Sequence, residues 1–328
     1  MEESKLLENL GFQVFETIGE GSYGKVFLVQ IPGSEIGIVA AKVIKNEDFL
    51  EREWEAAGVV ENDPQNSSPF IIKNIAMKNF EKFTVILYEY ANLRDFQRIV
   101  DSKINIPLPI VRAIMKQLFE GLRFVHSKGI VHRDIKPGNI LLHNPPGTEL
   151  VILKIADFGE AKVKQLNQRT ELMTVAGTIK FMSPELLLAK NVGQVKADAK
   201  IDIWSLGILL YRLVTHQWPY ESYTINQLQA EVAILEFMKE QQRTGHLLRP
   251  PTIIDNNLWD LIVRMLSFNP INRISAAEAL QHPFFTKRLL GMLIHKQIQL
   301  KFKDKQFHVQ IIKEYKLQHL LLQLSNQI

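Results

Sequence analysis

The chain has 328 residues, of which 46% are hydrophobic and 23% charged, enough apolar material for one large globular unit or for two lobes. The formal net charge of +4 is too small to favour nucleic acid as a partner, and the lack of cysteine excludes disulfides, thiolate metal sites and a thiol nucleophile. The N-terminus is acidic, without the basic and apolar regions of a secretory signal, and no apolar run is long enough to span a membrane. We therefore expect an intracellular protein of the cytoplasm, with the nucleus as the alternative location.

The predicted elements divide the chain into a strand-rich first part and a helical second part. Runs rich in β-branched and aromatic residues predict strands at 15–18, 26–30, 37–44, 71–77 and 83–90, and a helical pattern at 47–60 interrupts them. Beyond Asp95 the patterns predict helices at 109–128, 202–215, 226–239, 258–267 and 276–281. We expect a small strand-rich lobe, a larger helical lobe, and a cleft between them near Glu89–Leu93.

A glycine-rich run between the first two predicted strands is suited to holding phosphates. Gly19, Gly21 and Gly24 lie within Gly19–Val26, where the absence of side chains lets the backbone approach phosphate oxygens and point its N–H groups at them. A strand pattern follows directly, whereas a dinucleotide-binding turn would open a helix there. The alternative is a plain hairpin turn without a ligand.

Lys42 lies at the end of an apolar strand pattern, and an inward-facing lysine needs an anionic partner because an unpaired buried ammonium is costly. The predicted helix that follows supplies three candidates, of which Glu53 is the best placed, with Glu51 and Glu55 as alternatives. An exposed strand lysine without a special partner is the other interpretation.

The most restrictive motif is the polar run His132–Asn139 between two apolar stretches. Asp134, Lys136 and Asn139 supply a carboxylate, an ammonium and an amide, a set that can orient a hydroxyl nucleophile, neutralise a developing phosphoryl charge and hold a metal ion. Eighteen residues after Asn139, Asp157 offers another hard oxygen ligand for Mg²⁺, followed by an apolar anchor and a flexible glycine.

Together with Ser183-Pro184-Glu185, these motifs occur in an order that resembles the eukaryotic protein kinases over about residues 12–286. The resemblance implies an α+β bilobal protein kinase fold. Its strand-rich N-lobe at about 12–90 would contain one main helix, its C-lobe at about 91–286 would be mostly helical, and an ATP cleft would lie between them. The resemblance also implies ATP as the phosphate donor, Mg²⁺ as the metal with Mn²⁺ as a substitute, and proteins as substrates.

The resemblance implies a role for each matching residue. Asp134 would be the catalytic base, Lys136 would stabilise the γ-phosphate, and Lys42, fixed by Glu53, would contact the α- and β-phosphates. The residues that would hold the metal are Asn139 and Asp157. The residues that would line the ATP site are Ile18, Gly19, Gly21, Gly24, Val26, Ala40, Lys42, Leu141 and the backbone of Glu89 and Ala91, with Tyr88 as the gatekeeper. The residues with a structural role would be Glu185, Asp202 and Arg273, of which the first and the last would pair.

Substrate class and regulation also follow from the resemblance. Lys136 and Thr178 are typical of serine/threonine kinases, in which the threonine bridges the catalytic aspartate and lysine, and dual specificity is the alternative. Arg133 resembles an arginine that pairs with a phosphorylated activation-loop residue. Thr174 has the spacing usual for that phosphosite, with Thr170 as the alternative, so an upstream activating kinase is an expected partner.

Residues 287–328 form a basic extension, with eight Lys or Arg against two acidic residues, a net charge of +6. Alternating apolar residues predict a hairpin at 298–311, and apolar residues at helical spacing predict an amphipathic helix at 317–328. We interpret the extension as a packing appendage on the C-lobe, with a partner-binding or self-associating element and a membrane-surface segment as alternatives. The alternative functions are a pseudokinase scaffold that acts through this extension and a small-molecule kinase.

Overall fold

The computed structural model describes residues 2–21, 24–33, 37–49, 54, 58, 67–163, 172–174, 178–189, 194–196, 198–221 and 230–286. The predictions that lie outside the described residues are most of the helix at 47–60, the pairing of Lys42 with Glu53, Glu51 or Glu55, the phosphosite at Thr170, and the extension at 287–328. At Thr174 only the backbone is described.

The N-lobe is built on one antiparallel sheet, which confirms the strand-rich interpretation of this part of the chain. Its strands, in the spatial order β1-β2-β3-β5-β4, are β1 (Gln13–Gly21), β2 (Gly24–Gln30), β3 (Ile38–Lys45), β4 (Asn74–Asn79) and β5 (Phe83–Glu89). Alternate residues such as Phe27 and Val29 point into the core of the lobe, as the pleat requires. The fourth strand begins at Asn74 rather than at Ile71, because Ile71 forms an isolated bridge with Ile155 of the C-lobe.

A helix that the sequence patterns did not predict, α1 (Glu2–Asn9), precedes the sheet. It is too short to be stable alone, so packing must hold it. Leu7 supplies that packing, since its side chain is completely buried in the core of the N-lobe. Glu3 adds an ion pair to Lys25 of β2, with 3.2 Å between Oε1 and Nζ.

The C-lobe is mostly helical, as predicted. Its helices are α2 (Gln97–Asp101), α3 (Leu108–Ser127), α4 (Pro184–Leu188), α5 (Lys200–Thr215), α6 (Ala230–Thr244), α7 (Asn256–Met265), α8 (Ala276–Leu280) and α9 (Pro283–Thr286). The sixth helix continues to Thr244, beyond its predicted end at residue 239, because the next residue, Gly245, is the one that adopts the left-handed conformation with φ +69°.

Three pairs of short strands also belong to the described part of the C-lobe. They are β6 (Ile130–Val131) with β9 (Lys162–Val163), β7 (Ile140–His143) with β8 (Ile152–Ile155), and β10 (Leu172–Thr174) with β11 (Gln194–Lys196).

The α5 helix lies at the centre of the C-lobe, and every residue from Ile201 to Tyr211 is buried. A helix that is apolar around its whole circumference must be covered on all sides. Gly207 allows α7 to approach closely, since a Cβ at this position would lie 2.8 Å from Leu266 Cδ2. This packing places the first turn of α5 beneath the loop that follows β6. None of the described helices combines the length and apolar character needed to cross a membrane.

Candidate active site

One buried carboxylate holds the backbone of the polar loop that follows β6. Asp202, in the first turn of α5, accepts hydrogen bonds from the N–H groups of His132 at 2.9 Å and Arg133 at 2.8 Å, and contacts His126 Nε2 at 2.8 Å. Burial alone would raise the pKa of Asp202, but the contacts with His126 and His132 outweigh it and hold that pKa below its usual value. These bonds hold Arg133 at a left-handed φ of +69°, a conformation that costs free energy in a residue other than glycine.

Asp134 is surrounded by three side chains that all bind its carboxylate. Lys136 Nζ lies 2.6 Å from Oδ2, Asn139 Nδ2 donates to Oδ2 at 3.0 Å, and the Thr178 hydroxyl donates to Oδ1 at 2.8 Å. The Lys136 ammonium also donates to the Thr178 hydroxyl at 3.1 Å, so the threonine joins the aspartate and the lysine. Burial by itself would raise the pKa of Asp134, but the hydrogen bonds from Lys136 and Thr178 and the charge of Lys136 lower it. The carboxylate is therefore ionised and fixed in orientation.

Asn139 and Asp157 offer two oxygen ligands on the floor of the cleft. The N–H group of Ala156 donates to the carbonyl oxygen of Asn139 at 2.9 Å, which brings Asp157 beside it. Asn139 uses its amide nitrogen to bind Asp134, so its amide oxygen is the atom available to a cation. The Asp157 side chain is 42% exposed, and its Oδ1 accepts a hydrogen bond from Lys42 at 3.3 Å. A carboxylate and an amide oxygen fit Mg²⁺, which completes its shell with water and substrate phosphates.

A small apolar cluster forms the wall of the cleft next to the hinge, which we define as residues 89–91. Its buried members are Ile72, Ala91 and Ala156, and Tyr88 and Leu141 pack against them. Ala40 of β3 pairs with Tyr88 of β5, so Ala40, which was predicted to line the ATP site, lies next to the same cluster. The cluster joins both lobes, because Leu141 belongs to β7 of the C-lobe.

The glycine-rich run forms the ends of β1 and β2, where Gly19 pairs with Val26 and Gly21 with Gly24. Gly24 has a conformation that demands glycine, with φ +143° and a hypothetical Cβ 2.3 Å from the carbonyl oxygen of Val43. Ile18 lies beside this hairpin and is 39% exposed. The described part of the hairpin therefore contains three glycines, one of them at a position where any other residue would be strained.

Two contacts of the cleft were missed by the sequence interpretation. Lys154 of β8 donates to the Glu89 side chain at 2.8 Å, and Glu160 contacts Arg133 through its main-chain carbonyl and, at 3.9 Å, through its carboxylate. The signal for Lys154 was present, because this lysine lies between apolar residues of a strand pattern in the same way as Lys42. The predicted pairing of Arg273 with Glu185 is a direct ion pair, in which Arg273 Nη1 and Nη2 bind the two carboxylate oxygens of Glu185 at 2.7 and 3.0 Å.

Comparison with known proteins supports one family. The family model described as a protein kinase domain matches residues 12–285. The serine/threonine-protein kinase cds1 of Schizosaccharomyces pombe is 30% identical over 85% of this chain and 59% of its own length. Serine/threonine-protein kinase 10 of Xenopus tropicalis is 32% identical over 84% of this chain and 28% of its own length, and glycogen synthase kinase 1 of Pyricularia oryzae is 29% identical over 84% and 73%. The chain thus spans less than two thirds of the length of the first two relatives.

Proposed function

This chain belongs to the protein kinase family, and we propose that it transfers the γ-phosphate of ATP to serine and threonine hydroxyls of proteins. The observation that carries the proposal is the convergence of Lys136, Asn139 and Thr178 on the carboxylate of Asp134. Proteins of this family use ATP with a divalent cation. For this chain we propose Mg²⁺, bound by Asn139 and Asp157, which would neutralise charge on the phosphates.

The contacts of Asp134 suit it to guide a hydroxyl group. Its ionised carboxylate can accept the hydrogen of a serine or threonine hydroxyl and orient the oxygen towards the γ-phosphorus. As the new oxygen–phosphorus bond forms, the bond from phosphorus to the bridging oxygen of ATP breaks, ADP departs with the electron pair, and the hydroxyl proton passes to Asp134. Lys136 lies beside the carboxylate and can stabilise the charge on the transferred phosphoryl group.

The test is transfer of labelled phosphate from ATP to a generic basic protein. We expect transfer by the wild-type chain and a loss of at least about a hundredfold in Asp134→Asn, which keeps the size of the side chain but removes its charge. Asp48→Asn is the matched control, since Asp48 is exposed on the N-lobe. If wild type and Asp134→Asn transferred phosphate equally, or neither did under activating conditions, the proposal would be wrong, and the second outcome would favour a scaffold.

Regulation by phosphorylation of Thr174 is a further part of the proposal. It is supported by Arg133, whose side chain is only 1% exposed and whose backbone is bound by Asp202 beside the catalytic loop. A phosphate on the activation segment would give this buried guanidinium a doubly charged partner and would order the segment. Thr174→Ala should lower activity and abolish the response to phosphatase, and an unchanged response would point to Thr170 or to no such control.

A further inference from the structure

A buried lysine of β8 ties the hinge to the C-lobe. Lys154 of β8 donates from Nζ to Glu89 Oε1 at 2.8 Å and to the carbonyl oxygen of Pro69 at 3.0 Å. Its side chain is 7% exposed, and that of Glu89 is 26% exposed. An ammonium in such surroundings must stay paired, because the cost of a buried unpaired charge is large.

Glu89 is also bound to the segment that leads into β4. The N–H group of Lys73 donates to Glu89 Oε1 at 2.8 Å, and the N–H group of Glu89 donates to the carbonyl oxygen of Lys73 at 3.0 Å. One carboxylate oxygen therefore receives a main-chain N–H group and the Lys154 ammonium. The last residue of β5 is held at its backbone and at its side chain at the same time.

His143 of β7 lies within reach of the charges of Lys154 and Glu89, and its Nδ1 is buried without a hydrogen-bond partner. Burial lowers the pKa of His143 and the Lys154 ammonium lowers it further, so the ring is neutral at neutral pH. We call Lys154, Glu89, Lys73 and His143 the hinge clasp.

The hinge clasp adjoins the wall of the adenine site. Lys154 pairs across the sheet with Leu141, which packs against Ala91 and Tyr88. The same strand, β8, joins the N-lobe, since the N–H group of Ile72 donates to the carbonyl oxygen of Ile155 at 2.9 Å. A substitution at Lys154 would therefore affect both the hinge and the floor of the cleft.

We propose that Lys154 is a positioning residue for the purine base: through Glu89 it holds the hinge so that its backbone accepts adenine and discriminates against guanine. This inference rests on the proposed use of ATP. Adenine and guanine present opposite donor and acceptor patterns on the edge that a hinge backbone reads, so discrimination depends on fixed peptide groups. A hinge that is already ordered also loses less conformational entropy when the nucleotide binds.

The experiment compares the full chain with Lys154→Met, Lys154→Arg and Glu89→Gln, with Lys116→Met as the matched control on the exposed face of α3. Steady-state kinetics are measured with ATP and with GTP, and binding of a fluorescent ATP analogue is measured directly. For Lys154→Met we expect the KM for ATP to rise about tenfold, with kcat within about twofold of wild type. The preference for ATP over GTP, as a ratio of kcat/KM values, should fall by a similar factor.

The conservative variants separate positioning from a merely structural role. Lys154→Arg keeps a cation at the site and should stay within about threefold of wild type in KM, while Glu89→Gln should shift KM in the same direction as Lys154→Met. The inference is overturned if the ATP preference of Glu89→Gln and Lys154→Met equals that of wild type, or if only kcat falls. If Lys154→Met does not fold, Glu89→Gln decides. A wild-type chain that binds the analogue without phosphate transfer would contradict the proposed function, while the binding arm would still decide this inference.

Discussion

The buried ion pair between Arg273 and Glu185 allows a sharp test of what burial does to a salt bridge. The Arg273 side chain is completely buried and that of Glu185 is 16% exposed. The guanidinium binds both carboxylate oxygens, at 2.7 and 3.0 Å, and donates to the carbonyl oxygens of Lys200 at 2.7 Å and Ser267 at 3.1 Å. Arg273→Met would keep much of the apolar volume and leave these acceptors without a donor.

Breaking a buried pair from one side costs about 3–5 kcal/mol, because the remaining charge stays buried without compensation. For a chain of this size each kcal/mol lowers the midpoint of thermal unfolding by about 2–4 °C, so we expect a decrease of roughly 6–20 °C. Thermal unfolding can be followed by tryptophan fluorescence, since the guanidinium of Arg273 lies 5.1 Å from the ring of Trp204.

The matched control is Arg243→Met on the surface of α6. Arg243 approaches Glu240 to the same 2.7 Å, but the two side chains are 73% and 41% exposed, so water and salt weaken the attraction. We expect no clear change in its unfolding midpoint. A double variant, Arg273→Met with Glu185→Met, should recover most of the lost stability because no buried charge remains. Equal midpoints for Arg273→Met and Arg243→Met would refute the reasoning.

Two further predictions concern the glycine-rich hairpin and the hinge clasp. Gly24→Ala should lower the midpoint of thermal unfolding, because φ +143° and the carbonyl oxygen of Val43 at 2.3 Å leave no room for a side chain, and such strain costs about 1–3 kcal/mol. Gly19→Ala should leave that midpoint nearly unchanged, since its Cβ would meet Val26 Cβ at an ordinary 3.7 Å. For His143, whose pKa is lowered by burial and by Lys154, the folded state binds a proton less readily than the unfolded state. Acidification below about pH 6.5 should therefore remove stability, and His143→Gln should reduce this loss in urea unfolding measured from pH 7.5 to 5.

Each of these expectations has an outcome that contradicts it. Equal unfolding midpoints for Gly24→Ala and Gly19→Ala would show that the backbone at Gly24 relaxes without cost. A pH profile of unfolding that is identical in wild type and His143→Gln would show that this ring contributes nothing to the acid sensitivity of the fold. Neither measurement depends on the transfer reaction, so both test the structure independently of the proposed function.

The order of the motifs and the change from a strand-rich lobe to a helical lobe could be predicted, because both follow from patterns among neighbouring residues. Runs rich in β-branched and aromatic residues predicted the five strands of the N-lobe, and helical patterns predicted α3, α5 and α7 to within a few residues of their observed bounds. The chemistry of Asp134, Lys136 and Asn139 was visible in one short run, since a carboxylate, an ammonium and an amide in one loop have few structural explanations.

Local patterns failed where packing between distant segments decides the conformation. The α1 helix is short and mostly polar, so no periodicity predicts it, and the burial of Leu7 in the sheet holds it. The end of α6 was placed too early for a local reason, since Gly245, seven residues beyond the last apolar residue of the predicted stretch, determines where the helix stops. Thr178 was named for its role beside Asp134, but the distance of 2.8 Å between its hydroxyl and Asp134 Oδ1 is set by the tertiary structure, since the two residues are 44 apart in sequence.

By itself the sequence determined which chemical groups this protein has and the order in which the chain presents them, because residue types and local periodicity are written in neighbouring positions. Only the tertiary structure decided which of those groups meet. Lys154 and Glu89 are 65 residues apart, and Arg273 and Glu185 are 88 apart. The family resemblance predicted the second pair, but nothing in the sequence around Lys154 names Glu89 as its partner. The physical reason is that a buried charge takes whichever counter-charge the packed lobes bring within reach, and that choice is made by the fold as a whole.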